Sequence, residues 1–306
     1  MPLTCFDAET VRWLARAMLT ASQADGSSTD QDRRVIAHAV MAMGMSDTDV
    51  PDTGTSADAL AAAVPLPAAR RLAIELMTIL ILAGEATPAK AAELRRFARA
   101  LSVDEPAIEH VEDTAAGRHQ KARRDFRRRY LLNNGMRPGA ASLWLVLRIL
   151  AGHTHDPALL AQYEALAELA DDTLGKHYWI YAKQSKLPFP GQKRGGVFES
   201  NLYHDISHLI GDYPMTPAGE LAVSFFTAGY RRLDGFDHIV FALYQFHRGV
   251  KISIGAPTAT RAFAPDACFA AWARGSRMTE DLSTRTEFWS LMTLPLHEVR
   301  ATLGVI

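Results

Sequence analysis

Residues 203–220 read YHDISHLIGDYPMTPAGE and predict two helices joined by a short turn. His204 and His208 are four positions apart, so on a helix their side chains project from one face about one turn apart. The glycine and the prolines that follow end this helix and let the chain turn back. A second helix is expected to begin near Pro217, and in an antiparallel pair it returns Glu220 toward the histidines.

These side chains predict a divalent-metal site. Two imidazoles and one or two carboxylates form a mixed nitrogen and oxygen set that suits Zn²⁺, Fe²⁺ or Mn²⁺, with Mg²⁺ less favoured by imidazole. We take Zn²⁺ as the first candidate. Asp205 is rotated about 100° from His204, so it is either a third ligand or a partner that orients an imidazole. The metal-binding and catalytic residues predicted are His204, Asp205, His208 and Glu220. The alternative is a helix whose two histidines face a polar crevice without metal.

The rest of the chain predicts an all-α fold. Alanine, leucine and arginine recur at helical spacing, and alternating β-branched runs do not appear. The apolar run 72–83 has about half the ~20 residues that a membrane-spanning helix needs, so it predicts a buried core helix. Further helices are expected at 140–150, 157–169, 174–183, 203–210, 217–232, 236–249 and 295–303. The glycine- and proline-rich segment 186–197 is expected to be a loop.

The first third of the chain contains an internal repeat. Residues 24–43 and 82–101 each run from a glycine-containing turn through a threonine, Thr29 or Thr87, into an amphipathic helix. Threonine before a helix predicts an N-cap, and Pro88 stands at the first helical position, where proline is tolerated. Two helical hairpins that face each other would bury both apolar stripes.

The region 1–115 resembles the TerB-like helical domain of tellurite resistance. That family carries an Asp-Gly turn followed by an acidic residue on the next helix, which Asp25, its following glycine and Asp32 match. The second copy departs, because Ala83 replaces the aspartate and Lys90 stands where the acid would be. The acids of the first copy either bind a cation or serve only as turn and cap residues, and turn chemistry is the simpler explanation.

Segment 118–130 (RHQKARRDFRRRY) carries most of the local positive charge, within an expected linker helix at 116–137. Two interpretations are open: a solvated linker, or contact with anionic phospholipid, where each basic residue contributes on the order of 1 kcal/mol. Apolar and aromatic residues follow, as in helices that lie at a membrane interface. Nucleic-acid binding is not predicted, because no motif supports it and the chain has 33 Lys+Arg against 34 Asp+Glu.

The N-terminus and the cysteines indicate the cellular compartment in which the protein is expected. The N-terminus has no basic stretch ahead of an apolar one, so no signal peptide is predicted. Cys5 and Cys268 stand in unrelated contexts and predict neither a disulfide framework nor a cysteine-based zinc site. We therefore expect a cytoplasmic protein whose contact with the inner face of the membrane is peripheral.

Residues 138–306 resemble the Coq-four family of ubiquinone biosynthesis. That family carries HDxxH, eleven residues and then Glu, and residues 204–220 have this spacing. Thr-Leu-Gly at 173–175 and the closing segment 289–304, with PLHEVR inside it, are further matches. One departure concerns the arginine-rich stretch that family members carry just before HD. This chain has FESNLY at 198–203 instead, which leaves the identity of the substrate open.

The resemblance implies an all-helical, membrane-associated protein that binds a divalent cation beside a pocket for prenylated quinone precursors. The implied activity is oxidative decarboxylation of a prenylated aromatic acid, in which a hydroxyl replaces a ring carboxylate. A non-catalytic alternative is an isoprenoid-binding or scaffolding protein that contacts other quinone-biosynthesis proteins. The His-Asp pair also suggests an HD-type phosphohydrolase, which the closely spaced second histidine fits poorly. Whether the chain forms a homodimer is left open.

The helices after the motif are strongly apolar and allow two interpretations. They form either an ordinary core or the wall of a long apolar cavity for a prenyl chain. The residues concerned are Leu221, Val223, Phe225, Phe226, Tyr230, Phe236, Ile239, Val240, Phe241, Leu243, Tyr244 and Phe246. Four histidines of this half are left unassigned, with the first three expected to be hydrogen-bonded and the last exposed: His177, His238, His247 and His297.

Overall fold

A computed structural model of the chain describes residues 3, 6–121, 123–125, 128, 147, 155–193, 202–253 and 256–305. Over these residues the fold is all-α, as the periodicity predicted, and no strand is formed. The α-helices in chain order are α1 (Ala8–Gln23), α2 (Asp30–Ala42), α3 (Ala57–Ala63), α4 (Pro67–Ala83), α5 (Pro88–Leu101), α6 (Ala107–Ala115), α7 (Pro157–Glu164), α8 (Leu174–Gln184), α9 (Leu202–Gly211), α10 (Pro217–Tyr230), α11 (Gly235–Ala242), α12 (Pro265–Ser276), α13 (Trp289–Met292) and α14 (Leu296–Thr302).

Packing groups the chain into two units. Unit 1 comprises Met1–Phe126 and Thr216–Ser276, and unit 2 comprises Arg127–Met215 and Arg277–Ile306. Helices α1–α6 and α10–α12 therefore belong to unit 1, and α7–α9, α13 and α14 belong to unit 2. Each unit is discontinuous along the chain. The linear division into domains at 1–115, 116–137 and 138–306 stays a prediction.

The internal repeat forms two helical hairpins within unit 1, α1 with α2 and α4 with α5, and α1 packs on α4. The Thr29 hydroxyl accepts a hydrogen bond from the Asp32 N–H at 3.1 Å, and the Asp32 carboxylate accepts one from the Thr29 N–H at 3.0 Å. This reciprocal pair is a capping box that satisfies two backbone donors at the start of α2. Thr87 caps α5 in the same manner as Thr29, by accepting from the Lys90 N–H. Both predicted caps are confirmed.

In the core of unit 1, α4 packs on α1 and α10 packs on α12. The segment 72–83 of α4 is buried throughout, as predicted. Helix α10 approaches α12 so closely that a Cβ on Gly229 would lie 2.5 Å from the Trp272 carbonyl oxygen. A Cβ on Gly275 would likewise overlap the backbone of Phe226. Both positions therefore require glycine. Apolar side chains of α10 fill this core, and Phe225 contacts three aromatic rings of the same unit: Phe263, Phe269 and Trp272.

Several helix bounds differ from the predicted ones for local reasons. The helix expected at 236–249 ends at Ala242 and continues as a π-helix over Leu243–His247. In this π-helix the buried Gln245 amide accepts from the Ile252 N–H at 2.8 Å and donates to the Pro257 carbonyl at 2.8 Å. Those bonds hold the following loop in place. The helix expected at 157–169 changes to a 3-10 helix over Ala165–Glu168.

Other expectations fall partly or wholly outside the described residues. The helix predicted at 140–150 lies outside them except for a single position, and the linker expected at 116–137 is described only in part. The described part of the loop predicted at 186–197 is non-helical. Helix α12 was not predicted. The helices predicted at 174–183, 203–210, 217–232 and 295–303 are confirmed within two residues at each end.

A buried pair of carboxylates lies in unit 1, on either side of one guanidinium. Arg71 Nε donates to Glu75 Oε1 at 2.9 Å, and its Nη2 donates to Glu105 Oε2 at 3.0 Å. Glu75 is 4% exposed and Glu105 is 3% exposed. Burial raises the pKa of Glu75 from 4.5 to about 7, with Arg71 opposing the shift and Glu105 adding to it.

Glu75→Gln is expected to remove a pH-dependent loss of stability. Because the folded-state pKa of Glu75 is raised, the folded protein keeps this proton between pH 4.5 and about 7 while the unfolded chain releases it. The free energy of unfolding should therefore fall as the pH rises through this window, by roughly 1.4 kcal/mol per unit of pKa shift. Urea denaturation of the wild type and of Glu75→Gln between pH 4.5 and 8 measures this fall in the free energy of unfolding. An unchanged slope in the variant would show that Glu75 is ionised throughout.

Candidate metal centre

Helix α9 presents two histidines on one face. His204 and His208 are one helical turn apart, and their ring centroids lie 4.9 Å from each other at an interplanar angle of 89°. His208 is 2% exposed, whereas His204 is half-buried. The two rings therefore lie next to each other on successive turns of one helix face, which is what two ligands of one ion require.

The turn after α9 leads directly into α10, which carries Glu220 in its first turn. The Thr216 hydroxyl accepts from the Gly219 N–H at 3.2 Å and caps α10, with Pro217 in its first turn. The Glu220 N–H donates to the Thr216 carbonyl at 2.8 Å, so Glu220 also lies in the first turn. One ligand atom from each of His204, His208 and Glu220 lies within 4.8 Å of the other two. These three residues are thus brought together, as predicted.

The donor set fits a divalent transition metal. Bonds of ~2.1 Å in a tetrahedral site place ligand atoms about 3.4 Å apart, a separation that falls within the 4.8 Å limit found here. Two imidazole nitrogens and one carboxylate are typical ligands of Zn²⁺, and also of Fe²⁺ in sites with open positions. With these three ligands from the described residues, a tetrahedral ion would have one further position for another ligand, water or substrate. The His204, His208 and Glu220 group can therefore hold a metal ion.

Asp205 is not a member of this group. It is half-buried on α9, and its charge acts on Tyr178 of α8. Burial raises the pKa of the Tyr178 phenol well above its ordinary value, and the negative charge of Asp205 adds to this effect. The role of Asp205 as a ligand stays a prediction, and its position also suits the alternative of a supporting residue.

Two residues of unit 2 hold the C-terminal end of α9 and were not singled out from the sequence. The His208 Nδ1 lies 2.9 Å from the Tyr213 carbonyl oxygen. Arg300 Nε donates to the Ile210 carbonyl at 3.0 Å and its Nη2 to the Leu209 carbonyl at 2.9 Å. The last carbonyls of a helix have no partner within it, and a guanidinium satisfies two at once. The only sequence signal was that Arg300 lies inside the matched PLHEVR segment.

The two matched flanking segments are adjacent within unit 2. The Leu174 N–H donates to the Leu294 carbonyl at 2.9 Å, and the Leu296 N–H donates to the Asp172 carbonyl at 2.8 Å. A Cβ on Gly175 would lie 2.8 Å from the Met292 carbonyl oxygen, so the glycine allows this approach. The start of α8 is thereby fastened to the segment that carries Arg300.

The four histidines that the sequence left unassigned are not members of the metal-binding group found among the described residues. His247 of unit 1 accepts the Phe263 N–H at Nδ1 over 3.2 Å and donates from Nε2 to the Ala83 carbonyl at 2.8 Å. Burial lowers its pKa, so the neutral ring is a structural link, as expected. His297 on α14 is exposed, also as expected. His177 lies half-buried on α8 and His238 half-buried on α11.

The first part of the basic segment is anchored to a buried acid. Arg118 Nη2 lies 2.8 Å from Asp113 Oδ1, and Lys121 Nζ lies 3.2 Å from Asp113 Oδ2. The Asp113 side chain is 4% exposed, whereas the two cations are 56% and 60% exposed. Arg127, Arg129 and Tyr130 lie outside the described residues. Over the described part of the chain, no helix has the length and apolar character to cross a bilayer.

Comparison with models of known protein families and with curated proteins finds no match to this chain. The resemblances to the Coq-four family and to the TerB-like domain therefore rest on the motifs quoted above. What they imply about activity, cofactor and partners stays a hypothesis about this protein. The geometry of the His204, His208 and Glu220 group is independent of those resemblances.

Proposed function

We propose that this chain is a divalent-metal-dependent protein of quinone biosynthesis that acts on a prenylated aromatic acid at a membrane surface. The observation that carries the proposal is the group of two imidazoles and one carboxylate on consecutive helices. The HDxxH, eleven residues, Glu spacing supplies the link to the Coq-four family. The proposed reaction is oxidative decarboxylation, in which the aromatic acid, water and dioxygen give the ring hydroxyl, CO₂ and hydrogen peroxide, so that dioxygen takes up the two electrons released.

The proposed metal residues are His204, His208 and Glu220, with Asp205 as support. A bound divalent ion, Zn²⁺ first and Fe²⁺, Mn²⁺ or Mg²⁺ as the alternatives, would supply Lewis-acid polarisation of a substrate carboxylate. The protein's own contribution is to fix the imidazoles. His208 is buried, and the Tyr181 ring lies 5.8 Å from it, centroid to centroid. Such a wall keeps bulk water away from one side of the group.

The proposed partners are a prenylated precursor, an anionic membrane surface and other quinone-biosynthesis proteins. Contact with the membrane would be peripheral, through segment 118–130, from the cytoplasmic side. Arg118 and Lys121 support this idea because both remain more than half exposed beside Asp113. The apolar side chains of α10 and α11 pack in the core of unit 1, so they favour the core interpretation over a cavity wall.

The non-catalytic alternative, a scaffolding or isoprenoid-binding protein, differs in its metal site. A structural zinc site has four protein ligands, whereas a catalytic site keeps an open position. Among the described residues the group has three members, which favours the catalytic form. The phosphohydrolase alternative needs further histidine and aspartate ligands, and among the described residues Asp205 does not join the group.

Metal content and turnover test the proposal together. Purified full-length protein, loaded with Zn²⁺ or, without oxygen, with Fe²⁺, is mixed with a prenylated hydroxybenzoate and air. Mass spectrometry should detect the acid minus CO₂ plus one oxygen, at a rate that depends on the metal. Stoichiometric metal binding without product would favour the scaffolding alternative. A chain that binds no divalent ion would contradict both.

A further inference from the structure

The turn that ends α9 is built around His208. Asp212 adopts a left-handed conformation, with φ of 58°. The Tyr213 N–H donates to the His208 carbonyl at 3.0 Å, which is the outer bond of a Schellman turn. In the opposite direction, the His208 ring faces the Tyr213 carbonyl at 2.9 Å from Nδ1. Both backbone groups of Tyr213 are therefore bonded to His208, one to its backbone and one to its side chain.

The hydrogen bond between the His208 ring and the Tyr213 carbonyl determines which ring nitrogen carries the proton. A carbonyl oxygen can only accept, so Nδ1 of His208 must be the donor. In a neutral imidazole the proton on Nδ1 leaves the lone pair on Nε2, and Nε2 becomes the atom able to bind a metal. The backbone of the turn thus selects the tautomer of a proposed ligand.

Gly211 makes this arrangement possible. A Cβ added to Gly211 would overlap the ring of Tyr213, because that ring folds back over the end of α9. Gly211 is buried, and Tyr213 is half-buried. A side chain at Gly211 would therefore push the ring away and move the residue whose carbonyl orients His208. The absence of a side chain at Gly211 is what lets Tyr213 take its place.

We propose that Gly211 and Tyr213 are positioning residues that hold His208 as an Nδ1–H tautomer with Nε2 available as a ligand. The effect on metal affinity rests on the proposed metal site, whereas the tautomer of His208 is a property of the metal-free chain. Partners of this kind, which orient a ligating histidine without touching the metal, contribute about 10- to 100-fold to metal affinity.

The test uses the full-length chain with ¹⁵N-labelled histidine, without metal and near neutral pH. Long-range ¹H–¹⁵N spectra distinguish protonated from unprotonated ring nitrogens, and the His208 signals are assigned by their loss in His208→Gln. Wild type and Tyr213→Phe should both show Nδ1–H and an unprotonated Nε2, because phenylalanine keeps the ring and the carbonyl. Gly211→Ala displaces the Tyr213 ring and Tyr213→Ala removes it. In both variants the carbonyl of residue 213 remains but loses the ring packing that holds it in place, so averaged tautomers are expected.

Zinc titration of the same four proteins supplies the second measurement. Gly211→Ala and Tyr213→Ala should bind Zn²⁺ about 10- to 100-fold more weakly than wild type, with Tyr213→Phe unchanged. If Gly211→Ala does not fold, Tyr213→Ala decides alone, since it keeps the glycine. An unchanged tautomer and affinity in the alanine variants would overturn the inference. If the tautomer changes as expected while wild type binds no zinc, the proposed function fails and the positioning role stands.

Discussion

His208→Ala is expected to abolish stoichiometric metal binding. His208 supplies one of the three ligand atoms that lie within 4.8 Å of one another, and alanine leaves only His204 and Glu220. The loss should exceed the roughly 100-fold that removal of a supporting partner costs. Elemental analysis after dialysis and zinc titration give the two readouts. The proposed turnover should disappear with the metal.

His177→Ala is the matched control for this variant. His177 lies half-buried on α8 in the same unit as His208 and is not part of the metal-binding group. It should retain wild-type metal content. Equal metal content in wild type, His208→Ala and His177→Ala would place the ion elsewhere and contradict the site.

Lys90→Met is expected to destabilise unit 1 by about 3–5 kcal/mol, the cost of leaving buried charges without their partner. Lys90 Nζ lies 3.7 Å from Asp25 Oδ2 and 3.8 Å from Asp32 Oδ2. The side chains of Lys90 and Asp32 are 3% and 2% exposed. Methionine has a similar length but no charge, so the two carboxylates would face each other without a cation. Urea denaturation followed by circular dichroism at pH 7 measures the change.

Arg12→Met provides the comparison for Lys90→Met. Arg12 pairs with Asp49 at 3.3 Å, but its side chain is 51% exposed. Exposed pairs contribute at most about 1 kcal/mol, so this variant should remain close to wild type. If both variants lost a similarly small amount of free energy of unfolding, the Lys90 ammonium would not be a buried counter-ion.

The same cluster contains Lys90, the residue at which the second repeat departs from the TerB-like pattern. Lys90 stands where that pattern has an acid, and its ammonium lies between the two acids of the first copy. Burial alone would raise the pKa of Asp25, but hydrogen bonds from Ser27 and Thr87 and the charge of Lys90 lower it to about 2. Turn and cap chemistry, together with this internal cation, accounts for these acids without a metal.

The parts of the fold that follow from local chemistry were predictable. The threonine caps of α2 and α5 and the return of Glu220 after the glycine and proline turn depend on residues that are close in sequence. Contacts between distant residues left no such signal. Lys90 meets Asp25 from a different hairpin, and Arg300 reaches the end of α9 across 90 residues.

The tautomer of His208 was also beyond prediction from the motif. It depends on a backbone carbonyl, that of Tyr213, and on the left-handed conformation of Asp212, which side-chain identity does not specify. Likewise, the change from α- to π-helix at Leu243–His247 depends on the bonds that Gln245 makes with a loop. Helical periodicity continues through residues 243–247 without a break.

X-ray absorption of the protein loaded with one equivalent of Zn²⁺ tests the central claim most directly. Imidazole scattering from two histidines and at least one oxygen ligand is expected, at about 2.0–2.2 Å. Loss of one imidazole contribution in His208→Ala and of an oxygen contribution in Glu220→Ala should follow. A first shell without imidazole, or a spectrum identical in wild type and His208→Ala, would contradict the claim that these residues share one ion.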